Sequence, residues 1–362
     1  LRQIDGLRRD ADGARIGDRR LVLGPLTGGG IRRDPRDPGV GKGGPDGHKE
    51  SAVGPPGGGD GYRIAATART VTLAADTAVG VIAALSELVG QPPPPPGTTI
   101  RRPVCFKTRY YKHEVQWLGP GPGRAAGRVR GVHAGADRPI TRYTDRMLHA
   151  FFQALAVRRF NAVIVYGGYH PFEHFLDYRG LAHAADRHAG RRRENHAALS
   201  RFFEMAQAYG LRTFLHHYVS HFTQPLADHL GLTISQAGAR LAGIDHPAID
   251  DYTRYIYRRT FETIPALDGL LMNFESSGNA AAFMARTLLP VARAMDRRPA
   301  LVFRLWGVSD VAGMADLLGS YDGPKGLIHK SHDTSDTYFY PVAHERVKVW
   351  KAAMPQVDFA FS

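Results

Sequence analysis

Cysteine is nearly absent: Cys105 is the single one in 362 residues. That excludes an internal disulfide framework, and with no second thiol or regularly spaced histidine beside it a structural zinc site is not expected. Long apolar runs are missing as well. No stretch approaches the ~20 apolar residues a membrane span needs, and the N-terminus lacks the charged-then-apolar order of a signal peptide. No glycine-rich phosphate loop follows any strand-like segment, which argues against an open nucleotide-binding sheet. Acidic residues are outnumbered, 34 against 47 lysines and arginines, for a formal charge of +13. The arginines are scattered and not gathered into one stripe with interleaved aromatics, so nucleic acid is not an expected partner. The densest run, RHAGRRRENH at 187 to 196, reads as a solvated loop before a helix in preference to a phosphate site.

What is present changes along the chain. Residues 1–60 are dominated by Gly, Pro, Arg and Asp. Such a composition buries too little apolar surface to offset chain entropy, so most of this segment is expected to be disordered apart from a short strand near Leu21 to Leu23. Residues 61–91 change pattern: YRIAAT and TVTLAA alternate like strands, and TAVGVIAALSELVG carries helical spacing up to Gly90, a small β-β-α unit. QPPPPPG opens a proline-rich linker over 92–104. From 105 to 362 strands and helices alternate, the mark of a parallel α/β sheet or barrel. Strands are expected at 106–117, 161–167, 212–218, 269–275, 300–307, 326–332 and 356–362. Seven is one short of a closed (β/α)8 TIM barrel, so the expected fold is a TIM barrel incomplete at its C-terminus. The chain begins at Leu1 without methionine, and a fragment of a longer protein is expected.

In parallel α/β folds chemistry gathers at the C-terminal strand ends. Those positions hold Tyr166 and His170; His216, His217, Tyr218 and His221; Asn273 and Glu275; Arg304 and Trp306; and Lys330, His332, Asp333 and Asp336. Two carboxylates from different strands facing one pocket are what glycoside hydrolysis requires, one protonated to assist the leaving oxygen and one ionised. Glu275 ends an apolar strand, where desolvation raises a carboxyl pKa and suits an acid. Asp333 lies among polar neighbours, which suits a base. Each has a plainer alternative: Glu275 in ESSGNAA as a helix cap, Asp333 as an Asx-turn. Trp306 either stacks on a sugar or fills core; its spacing from Arg304 puts both on one strand face. His217 and His221 are four apart, but on a strand and its loop, with no carboxylate at fixed spacing; substrate contact is expected of His217, and no metal.

At these residues the chain resembles the α-glucuronidases of glycoside hydrolase family 67, from about Tyr62 onward and in order and spacing more than in identity. RRFNAVIVYGG resembles the family's second barrel strand and MAQAYGLRTFLHHYVS its following helix and third strand. DHPAIDDYTRYIYRRTFETIPALDGLLMNFESSG is similar to its helix and fourth strand ending in the general acid, which implies that role for Glu275. ALVFRLWG resembles the fifth strand, whose arginine binds the uronate carboxylate and matches Arg304. GLIHKSHDTSDTYF resembles the sixth, implying Lys330 for binding and Asp333 or Asp336 for catalysis. The chain departs from the family where Leu271 and Met272 replace a lysine and where two serines follow the acid, and it stops at Ser362 just before a further catalytic carboxylate is expected.

The resemblance implies hydrolysis of a glycosidic bond in plant-type oligosaccharides, with inversion if the carboxyls stand ~6.5–9.5 Å apart, with substrate contacts from Arg304 and Lys330 and with no cofactor; strand-end position adds Trp306, Tyr166, His217 and Asn273 as expected substrate contacts. Two alternatives remain open. A family 20-like hexosaminidase would share the N-terminal unit and barrel, but predicts an Asp-Glu pair where Phe274 precedes Glu275. The other is a non-catalytic carbohydrate-binding barrel.

Overall fold

The computed structural model describes residues 15–16, 19–24, 60–89, 91–104, 108–118, 138–178, 189–219, 224–232, 234–235, 240–241, 246–274, 280–304, 308, 310–329 and 344–361. The chain divides into two compact units, one of Leu1–Arg109, Ala150–Asn161 and Ala208–Leu211, the other of Tyr110–His149, Ala162–Gln207 and Arg212–Ser362.

The first unit holds β1 (Arg15–Ile16), β2 (Arg19–Gly24), β3 (Tyr62–Ala66), β4 (Thr70–Ala75), helix α1 (Ala78–Leu88) and β5 (Thr99–Arg102), in the sheet order β1-β2-β4-β3-β5. Alternation aims Tyr62, Ile64 and Ala66 of β3 and Val71, Leu73 and Ala75 of β4 at one face, where Val81, Ala84 and Leu88 of α1 complete the core. Two differences from the sequence reading stand out. β2 pairs in parallel with β4 over five residues, and β5, inside the stretch read as a linker, pairs antiparallel with β3. β2 falls where the sequence expects a short strand, near Leu21 to Leu23; β5 does not announce itself locally, because TIRR has one apolar residue and takes its strand form from a neighbour distant in sequence.

Asp60, 4 % exposed, anchors this unit. Its carboxylate accepts from Thr77 Oγ1 at 2.7 Å, Asn161 Nδ2 at 2.6 Å and Arg109 Nη2. Thr77 in turn caps α1, accepting from Gly80 N at 3.1 Å. A buried charge is tolerable when paired and hydrogen-bonded in this way. Gly210 has φ +78°, and a Cβ there would lie 2.9 Å from Ala78 Cβ. Gly210→Ala is therefore expected to cost about 1–2 kcal/mol, read as a lowered urea midpoint at unchanged m. An unchanged midpoint would mean the turn relaxes without cost.

The second unit is built on seven parallel strands: β6 (Tyr110–Glu114), β7 (Ala162–Tyr166), β8 (Arg212–Tyr218), then, after the short antiparallel pair β9 (Ile234–Ser235) and β10 (Arg240–Leu241), β11 (Gly269–Asn273), β12 (Ala300–Arg304), β13 (Lys325–His329) and β14 (Asp358–Phe361). The helices that follow α1 along the chain are α2 (Asp145–Val157), most of which belongs to the first unit, α3 (Ala189–Ala208), α4 (Gln224–His229), α5 (Pro247–Thr263), α6 (Ala280–Arg286), α7 (Leu288–Ala294), α8 (Val311–Gly319) and α9 (His344–Ala353). Each of the seven strands overlaps a segment where the sequence pattern predicts one, β13 starting one residue earlier than expected. Caps appear where the sequence offers them: His246 before Pro247 on α5, and Asp310 accepting from Gly313 N at 2.8 Å on α8.

Strand order is β6-β7-β8-β11-β12-β13-β14 and never reverses. Right-handed crossovers then send the connections to one face, and the opposite face packs on itself. Ala162, Ile164, Phe214, Leu271, Ala300, Val302 and Ile328 form one buried cluster, with Tyr110 of β6 against it. Small Ala162 lets the Tyr110 and Phe214 rings meet edge to face at 5.3 Å. Burial raises the Tyr110 pKa; Arg212 opposes this, and Asp358, on the strand at the other edge, adds to it. The sheet holds seven strands and no eighth among the described residues.

Candidate active site

Register decides which side chains meet. Glu114, Tyr166 and His216 are successive partners across β6, β7 and β8, and Tyr218, Asn273 and Arg304 across β8, β11 and β12. Alternation puts them, with Lys112, on the inner face, since Tyr110, Ile164, Phe214, Leu271 and Val302 occupy it two residues earlier or more. Apolar residues thus fill the middle of the inner face and polar ones its C-terminal end.

The polar group is closely packed. Lys112 Nζ sits 4.3 Å from the Tyr166 ring centroid and 3.5 Å from Glu114 Oε1. Tyr166 and His216 rings lie 4.8 Å apart, and His216 stacks on Tyr218 at 5.4 Å. Tyr218 N donates to Tyr169 O at 2.8 Å, fixing the strand end against the loop after β7. His216 is held neutral, its pKa well below the ordinary value, first by burial, then by the charges of Lys112 and Arg304 and by His217.

His216 and Asn273 are 3 % and 0 % exposed, yet among the described residues neither ring nitrogen of His216 and neither side-chain amide atom of Asn273 has a hydrogen-bond partner. Leaving such groups unmade costs about 1–3 kcal/mol each, and native structures tolerate it chiefly where a ligand or ordered water completes the set. A neutral imidazole and an amide each offer donors and acceptors, a guanidinium offers only donors, and Tyr166 and Tyr218 add aromatic rings. The combination suits a hydroxyl-rich small molecule.

The loops around this end are fixed by buried polar contacts. Asn195 of α3, 1 % exposed, accepts from Leu118 N at 2.9 Å and donates to His174 O at 3.0 Å. Trp117 donates to Gly167 O at 2.6 Å and stacks on His174 at 5.6 Å; a Cβ on Gly167 would overlap its indole.

Of the residues read from sequence, the structure brings Tyr166, Asn273 and Arg304 together. It does not bring His217 to them. His217 lies on the other face of β8, 3.3 Å from Tyr257 Oη of α5 and edge-on to Phe172, with its pKa pushed down to about 3 by burial. Alternation explains this: in RTFLHHY, His216 shares the face of Phe214, His217 that of Leu215. Glu275, Trp306, Lys330, Asp333 and Asp336, with His221, lie outside the described residues. Lys112 and Glu114 were not singled out from sequence, because charges in a weakly patterned edge strand carry no local mark. Among the described residues no group of three His, Cys, Asp or Glu side chains is placed to hold a metal ion, and no helix is long and apolar enough to cross a membrane.

No protein-family profile matches the chain, and no curated protein matches it either. Solved structures do share its fold. A GH138 enzyme targeting pectin rhamnogalacturonan II superposes with a TM-score of 0.63 at 15% identity, over 84% of this chain and 36% of the enzyme. The GH20 β-N-acetylhexosaminidase of Streptomyces coelicolor A3(2) gives 0.55 at 14% identity over 100% of this chain and 68% of its own. A Streptomyces plicatus β-hexosaminidase gives 0.53 at 15%, over 100% and 67%. The chain therefore spans about a third of the GH138 enzyme's length. These likenesses show a fold shared with glycoside hydrolases; the α-glucuronidase resemblance rests on sequence alone.

Proposed function

We propose that this chain is the main part of a glycoside hydrolase barrel that binds its sugar at the C-terminal end of the parallel strands. The observation that carries the proposal is the pair of buried, unpartnered side chains, His216 and Asn273, beside Arg304 and Tyr166. Glu275 follows Asn273 by two residues, the spacing that repeats one face of a strand, and takes the role of general acid. Asp333 or Asp336 takes that of base, and Lys330 and Trp306 contact substrate. In the α-glucuronidase-like reading Arg304 pairs with a uronate carboxylate. The family's lysine is absent at Leu271 and Met272, and Lys112 supplies a second cation on the same face. Closure of the sheet into a barrel belongs to the same proposal and is supported by its unreversed strand order.

A hexosaminidase reading is favoured by the fold likeness to GH20 enzymes over the whole chain. Against it stands Phe274, buried and stacked on Phe303 at 6.0 Å where that reading expects an aspartate. The test is turnover of glucuronate-bearing xylo-oligosaccharides against aryl N-acetylhexosaminides by the full-length protein, wild type and Asn273→Leu. Asn273→Leu removes an unmade buried amide, so the unfolding midpoint should hold or rise while kcat/KM falls at least ~10-fold. Intact turnover would remove Asn273 from the site. Binding of these sugars without turnover would point to a carbohydrate-binding barrel instead.

A further inference from the structure

Tyr169 follows β7 in the stretch YGGYHP and is not among the residues that strand-end position picks out. The structure nevertheless carries it onto the aromatic wall of the crevice. We propose that Tyr169 is the ring on which the bound sugar stacks, and that it selects pyranoses whose equatorial hydroxyls leave the ring face as bare C–H.

Two glycines bring Tyr169 there. A Cβ on Gly167 would overlap the Trp117 indole, and Gly168 has φ +98°, a conformation that side chains avoid, so the chain turns at this strand end as larger residues could not. The loop is then held from two sides. Tyr169 O accepts from Tyr218 N at 2.8 Å, and Nε2 of His170 and Oη of Tyr252 on α5 share a hydrogen bond at 2.6 Å. The Tyr169 ring meets the Tyr218 ring edge to face at 4.5 Å, and Tyr218 in turn stacks on His216 and lies 6.1 Å from Tyr166. Of these four rings, Tyr166, His216 and Tyr218 are buried and Tyr169 is partly exposed. It is therefore the member of the wall that a ligand reaches from solvent. Sites for small molecules pair such aromatic surface with a few placed polar groups, here His216, Asn273 and Arg304. A pyranose fits both, since its axial C–H bonds pack on the negative face of an aromatic ring while its rim hydroxyls stay free to hydrogen-bond. A ring held in place before binding also loses little entropy on contact.

This inference rests on the glycosidase reading of the crevice. Its test is the kinetics of the full-length protein on glucuronate-bearing xylo-oligosaccharides and aryl N-acetylhexosaminides, for wild type, Tyr169→Leu, Tyr169→Phe, Tyr169→Trp and Asn273→Leu. Stacking serves substrate and transition state alike, so Tyr169→Leu should raise KM about tenfold with kcat nearly unchanged. Tyr169→Phe and Tyr169→Trp keep a ring and should stay within about twofold of wild type. The indole in Tyr169→Trp should also change its emission on saturation with sugar, which decides the matter even where Tyr169→Leu fails to fold. An unchanged KM in Tyr169→Leu, or emission of Tyr169→Trp that ignores the sugar, while Asn273→Leu loses activity, would overturn the role of Tyr169 and leave the crevice reading intact. Neither turnover nor binding of these sugars by the wild type would overturn both.

Discussion

Replacing Glu275 by glutamine is expected to lower turnover of the preferred glycoside by at least ~100-fold with little change in KM. A glutamine keeps size and polarity but cannot deliver a proton to the leaving oxygen, so the loss falls on the chemical step. In the proposed role the carboxyl follows an apolar strand, which favours the protonated form: Leu270, Leu271, Met272 and Phe274 are all buried. Two controls separate catalysis from capping. Aryl glycosides with good leaving groups need less protonation and should lose less. The unfolding midpoint should move by no more than the fraction of a kcal/mol that exchange between two capping side chains allows. Equal loss on all substrates with a lowered midpoint would make Glu275 a helix cap.

The second large effect is acid lability. Burial holds His113 and His174 down to a pKa of about 4 and His217 to about 3, and His216 well below its ordinary value. In the unfolded chain they titrate near ~6.5. Above that pH both states are neutral and the fold keeps its full stability. As pH falls from there, only the unfolded state takes up protons, so stability drops at about 1.4 kcal/mol per pH unit for each group until its native pKa is reached. Four such groups lose on the order of 5–10 kcal/mol by pH 5, comparable to a domain's whole stability. Urea midpoints measured from pH 7.5 to 4.5 should fall steeply, and acid unfolding should precede the carboxylate range. His113→Phe, which keeps a ring against Phe202, should reduce the slope by one proton. A flat profile to pH 4.5 would show these imidazoles to be solvated.

Much of the architecture was legible in sequence because it is written in local pattern. Apolar runs such as NAVIVYG and GLLMNFE read as strands of a parallel sheet, and the polar residues at their ends could be placed without coordinates. The site was legible as a set of residue types at strand ends and only partly as particular residues. Tyr166, Asn273 and Arg304 converge, whereas His217 turns to α5 and His216 takes its place, a distinction that period-two alternation contains but that two adjacent histidines obscure.

By itself, then, the sequence determined the alternation of strands and helices, the lack of disulfides and the gathering of polar groups at the strands' C-terminal ends, since each depends on composition or on a repeat of two or 3.6 residues. Only the tertiary structure decided which of those groups face one another. Register between strands distant in sequence sets Asn273 beside Tyr218 and Arg304, and helix packing sets Arg259 and Arg192 in the wall of one cavity. Such pairings are made by non-local contacts, which no window of neighbouring residues encodes.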